Sequence, residues 1–161
     1  MTDATKKVLV LGYGNPGRLD DGLGPAFVER LEAKALPGVT LDADYQLTVE
    51  DAVELANCDV VVFVDADVKG AEPFYCRTVE SGDDTISFST HHVTPEAVVG
   101  LAGEMFGAAP EAYVIGIRGY AFDEFGQCLS AKAMANLDAA VKFFESALAR
   151  GFADCASVGA P

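Results

Sequence analysis

The chain has 161 residues, 50% of them hydrophobic and 22% charged, an ordinary globular composition with enough length to bury one core of moderate size. Eleven basic residues against 25 acidic ones leave a formal charge of −14. That sign excludes nucleic-acid binding driven by counterion release and adsorption to an anionic membrane. The longest apolar run, Val60 to Val64, is far too short for membrane insertion, and residues 1–7 carry no cleavable signal pattern. A cytoplasmic protein is therefore expected.

Residues 7–12, Lys-Val-Leu-Val-Leu-Gly, have the continuous β-branched and leucine pattern of a buried parallel strand. Pro25 opens a helix with Phe27, Val28 and Leu31 on one face, and Pro37-Gly38 ends it. Val39 to Tyr45 alternates as a second strand. Thr48 and Asp51 form a capping-box start for a helix with Val49, Ala52, Val53 and Ala56 at helical spacing. Residues 59–65 are the third and most hydrophobic strand, and Phe74 to Val79 a shorter one. Residues 81–93 are expected to be loop, with a short extended piece around Ile86 to Phe88. Thr94-Pro95-Glu96 opens a helix whose face is Val98, Leu101, Ala102 and Met105. Tyr113 to Ile117 is the last strand. Ser130 caps a long helix with a stripe of Met134, Leu137, Val141, Phe144 and Leu148, closed by Gly151.

Strands alternating with helices predict an α/β fold: one domain over residues 1–150, an open, mostly parallel twisted sheet with helices on both faces, and a loose tail over 151–161. The cysteines at 58, 76, 128 and 155 form no C-x-x-C pair or zinc knuckle. Disulfides are not expected, and Cys58 and Cys76 read as small core residues.

Gly12-Tyr13-Gly14-Asn15-Pro16-Gly17 fits G-x-G-x-x-G after a strand, the pattern of a dinucleotide site, with Asp42 or Asp44 available as a ribose-binding acid. Such a site needs a helix N-terminus inside the loop. Here the chain runs on through Arg18-Leu19-Asp20-Asp21-Gly22 and sets two carboxylates where an anion would sit. Asn15, Asp20 and Asp21 suit a cation better.

In open α/β sheets the working crevice lies beyond the carboxyl ends of the strands. The Asp20-Asp21 loop leaves the first strand there, and Asp65 ends the third, its expected neighbour. His91 and His92, the only histidines, share the loop before Thr94. Two acids and one imidazole supply three ligands for a metal with positions open to substrate.

The segment from Val8 through Gly12-Tyr-Gly-Asn15 and Asp20-Asp21-Gly-Leu-Gly24 to Pro25 resembles the opening of the hydrogenase maturation proteases. Val62-Phe-Val-Asp-Ala66 resembles that family's second signature and Ser89-Thr-His-His92 its third, in family order and spacing over roughly residues 7–150. The resemblance implies an α/β endopeptidase that removes the C-terminal extension of a nickel-iron hydrogenase large-subunit precursor after nickel insertion. It places the metal-directed acids on Asp21 and Asp65 and the imidazole on His91, with His92 one residue away. Relatives often have a Gly-Thr turn after the second strand, whereas this chain reads Asp44-Tyr-Gln-Leu-Thr48 and leaves the role of Asp44 open.

No tightly bound cofactor is expected, because the nickel contacted would belong to the substrate. A serine triad on a G-x-S-x-G elbow and an HExxH zinc site are both absent from the sequence. Other readings are a dinucleotide-binding enzyme using Gly12 to Gly17, a metallohydrolase with its own ion, and a non-catalytic nickel chaperone.

Overall fold

The computed structural model describes residues 6–80, 93–152 and 155 of the chain. The extended piece expected near Ile86 to Phe88 and both histidines lie outside the described residues.

Hydrophobic strands form the middle of a five-stranded sheet: β1 (Val8–Tyr13), β2 (Val39–Asp44), β3 (Val60–Asp67), β4 (Phe74–Thr78) and β5 (Glu111–Arg118), in the order β2-β1-β3-β5-β4. The first four in that order run parallel, and β4 is antiparallel at the edge. β1, β3 and β5 are buried along almost their whole length because helices cover both faces. α1 (Leu23–Glu32) and α4 (Ala131–Arg150) pack on the face that presents Val10, Val62 and Ile115. There Phe27 and Phe144 meet edge to face at 5.6 Å. α2 (Asp51–Leu55) and α3 (Pro95–Phe106) pack on the other, over Leu11, Val61, Phe63 and Val114.

Capping follows the sequence. Thr94 and Ser130 accept amides from Ala97 and Ala133, while Thr48 donates its own amide to Asp51. The inward faces differ from expectation in three places. Helix α2 begins only at Asp51, so Val49 escapes its periodicity; Ala52 and Leu55 turn inward, and Val49 and Val53 are exposed. In α3 the covered residues are Val98, Val99 and Ala102, and Met105 in the last turn is exposed. In α4 the inward stripe includes Ala133, Ala140 and Ala147 beside Leu137, Val141 and Phe144, leaving Met134 outside.

The tail also differs. Phe152 stacks on Tyr113 at 5.0 Å, and Cys155 is buried in a disulfide with Cys76 on β4. Spacing arguments search for nearby cysteines, and these two are 79 residues apart in sequence. Closing a loop of that length removes up to about 4 kcal/mol of unfolded-chain entropy. Cys155→Ser is accordingly expected to lose about 2–4 kcal/mol in urea unfolding, with wild type dropping to the same value in dithiothreitol. Wild-type stability unmoved by reductant would exclude the bond. Among the described residues, no helix is long and apolar enough to cross a membrane.

Candidate active site

Because β1 neighbours β2 on one side and β3 on the other, the chain leaves β1 at the point where strand order reverses. This is where α/β sheets open a crevice at their carboxyl edge. The β1–β3 ladder ends at Gly12↔Val64, so Asp65 is the first β3 residue past it. It does not end the strand as expected: β3 continues to Asp67, paired with β5 through Asp67↔Arg118. By strand alternation Asp65 lies on the face of Val61 and Phe63, as Tyr13 lies with Leu9 and Leu11.

The loop after β1 folds back on itself. The Gly14 amide donates to the Asp44 carbonyl, and a Cβ at Gly14 would stand 2.1 Å from the Asp21 carbonyl oxygen. With φ at +142°, this position needs glycine twice over. The Asn15 amide donates to Asp21 Oδ2 at 2.9 Å, and the Gly17 amide to Asn15 Oδ1 at 2.8 Å. A 3-10 turn, Leu19–Gly22, then leads directly into α1 at Leu23, two residues earlier than Pro25. The Asn15 and Gly17 amides are thus engaged by the chain's own oxygens instead of being left for a phosphate, and Asp20 and Asp21 precede the helix. This local chemistry opposes the dinucleotide reading.

The adjacent acids have separate tasks. Asp20 is fully buried and accepts four hydrogen bonds, from the amides of Tyr120, Ala121 and Ser130 and from the Ser130 hydroxyl, at 2.7–2.9 Å. Burial pushes its carboxyl upward, but these donors outweigh burial and hold it below the usual range. Asp20 therefore ties the loop after β1 to the N-terminus of α4 and is not a cation ligand. Asn15 is likewise occupied by Gly17. Of the three cation candidates in this loop, Asp21 is the one whose charge acts on Asp65.

Asp65 feels Asp21. Burial pushes the Asp65 carboxyl up to about 7; the Ala66 amide, donating to Oδ1 at 2.8 Å, opposes this, while the charges of Asp21 and Asp67 add to it. The structure thus brings Asp21 of the loop after β1 and Asp65 of β3 within electrostatic reach, 44 residues apart in sequence (65 − 21). His91 lies outside the described residues, and among those described no group of three or more His, Cys, Asp or Glu is placed to hold a metal ion.

Three neighbours were not legible as site residues. Burial, then the Asp65 charge, raise the Tyr13 phenol well above its usual range, which keeps it a neutral donor beside Asp65. Tyr75 lies in the same cross-strand row as Gly116 and Asp65. Its ring covers Gly116 so closely that a Cβ there would stand 2.4 Å away, and its hydroxyl donates to Asp67 Oδ2 at 2.9 Å. Asp67 also accepts the Lys69 and Gly70 amides and shapes the turn after β3. Strand parity with Leu9 and Leu11 was the available signal for Tyr13; the other two depend on pairing partners that one sequence does not reveal.

No protein-family model and no curated protein matches the chain. Solved structures do. The hydrogenase 2 maturation peptidase of a Thaumarchaeota archaeon is 29% identical, with a TM-score of 0.67 over 89% of this chain and 99% of that one. The hydrogenase maturation protease HycI of Thermococcus kodakarensis (TM-score 0.68, 23% identity, 91% and 95% covered) and the endopeptidase HybD of E. coli (0.66, 23%, 89% and 93%) share the fold. The Thaumarchaeota match extends over 89% of this chain, and the opening loop with its Gly-Asn and paired acids stands at the carboxyl edge of the sheet. This chain therefore shares its fold with hydrogenase maturation peptidases and is similar in sequence to one of them.

Proposed function

We propose that the protein is an endopeptidase that removes the C-terminal extension of a nickel-iron hydrogenase large-subunit precursor in the cytoplasm, once nickel has been inserted. The observation that carries this reading is the approach of Asp21 and Asp65 at the switch point of a fold shared with hydrogenase maturation peptidases. In this proposal Asp21, Asp65 and His91 grip nickel already seated in the substrate. An empty precursor offers no such anchor and is left uncut. The attacking water is activated either by the gripped nickel or by a carboxylate acting as general base. Tyr13, held neutral beside Asp65, can donate to the oxygen that becomes charged.

The test is mass spectrometry of purified large-subunit precursor, with and without nickel, after incubation with the protein. Loss of a C-terminal segment is expected only with nickel present. Asp21→Ala, Asp65→Ala and His91→Ala should each slow the cut by at least about 100-fold while the protein stays folded. Binding without any mass change would instead indicate a nickel chaperone, and activity retained in all three variants would refute the site.

A further inference from the structure

β2 is an open edge of the sheet, since no described strand pairs with its outer side. Val8 and Gly14 donate to the carbonyls of Gly38 and Asp44, and the register runs Val8↔Val39 to Tyr13↔Asp44. In a parallel ladder this turns the peptide groups of residues 40, 42 and 44 toward β1 and those of Val39, Leu41 and Ala43 outward. Two of those outward positions, Leu41 and Ala43, border a cleft of about 740 Å³ that is also lined by Glu29 and Glu32 of α1. A smaller hollow of about 140 Å³ shares Ala43 with it and continues past Asp44 and Tyr45 to Gly14. Gly14 adjoins Asn15, whose amide Asp21 holds. An unpaired strand edge therefore leads up to the metal-directed loop.

The charge of the cleft selects its occupant. Glu29 and Glu32 make no ion pair among the described residues, whereas the one cation in the lining, Arg30, is paired with Asp138. A second copy of this chain adding to the same edge would bring like carboxylates together, which is unfavourable. An extended polypeptide bearing lysine or arginine satisfies both the free peptide groups and the free charges. We propose that the precursor segment flanking the cut docks as an added strand against β2, with its cationic side chains over Glu29 and Glu32. This rests on the peptidase reading and names how that substrate is held.

Two measurements test it. Hydrogen exchange of the wild-type protein, saturated with a synthetic nickel-free peptide of the precursor's C-terminal segment, should show protection of the Leu41 and Ala43 amides. Glu29→Lys combined with Glu32→Lys should raise KM for nickel-loaded precursor by about tenfold, less so at high salt, with kcat unchanged. Glu104→Lys, on the exposed side of α3, should leave KM alone. Wild-type cutting with no protection at Leu41 and Ala43, or with KM unmoved in the double variant or moved equally in the control, overturns the docking. Protection at both amides without any cut retains the docking and removes the peptidase reading.

Discussion

Asp65→Asn is expected to give a protein that is more stable at neutral pH and cuts nothing. The folded state raises this carboxyl from 3.8 to about 7, chiefly by burial, with the charges of Asp21 and Asp67 adding to the effect. The native protein thus holds the proton more tightly than the unfolded chain. Stability contributed by the protonated form is complete below about pH 4, declines as pH rises toward 7, and is absent above that. A shift of about three units corresponds to at most about 4 kcal/mol, so the neutral amide should recover about 2–4 kcal/mol at pH 8 and almost nothing at pH 4. Urea unfolding of both proteins at pH 4, 6 and 8, after chelation of metal, measures it. Parallel curves across that range would show that Asp65 is ionised freely and that the crevice does not press on it. The same substitution removes the carboxylate from the site, so cutting should fall together with the rise in stability.

Asp20→Ala should do the opposite, costing about 3–5 kcal/mol, because it leaves three amides and a hydroxyl without their acceptor in a buried place. Asp20→Asn keeps the size but not the charge and is expected to fall between the two. Here the folded pKa is depressed, so the contribution is present above the unfolded value and disappears as pH falls through the folded one. The Asp20 contribution is thus fully present at pH 7, and its change with pH is confined to the acid limb, below the window in which Asp65 acts. A loss under about 1 kcal/mol in denaturant unfolding at pH 7 would mean that the loop and α4 hold together without it.

Much of the fold was legible because local chemistry agreed with the tertiary structure. Thr94 and Ser130 cap helices in the structure as their neighbours in sequence suggest, and the apolar runs at Val8 and Val60 are central strands. The inward faces were harder to read. Sequence patterning favours large side chains and so points to Met134, whereas the buried residue is its small neighbour Ala133. The disulfide was illegible for a different reason: it depends on the tail returning beside β4, which no spacing encodes. At the site, chain order and the rule for open sheets bring the loop of Asp21 and the strand of Asp65 to one edge. Spacing alone does not separate Asp20 from Asp21, a choice that rests on the family resemblance, because the partners that bury Asp20 lie 100 to 110 residues further along.

Consecutive Cα atoms are only 3.8 Å apart, so anchoring residue 20 leaves residue 21 little freedom to wander. In the proposed role of nickel ligand, the Asp21 carboxylate, with Oδ2 also held by the Asn15 amide, would meet an arriving ion already oriented and lose little rotational entropy on contact. The same stiffness prevents it from following an ion that comes in off-axis. Such a ligand discriminates by geometry: it favours a metal fixed in a rigid partner over one diffusing freely in solution.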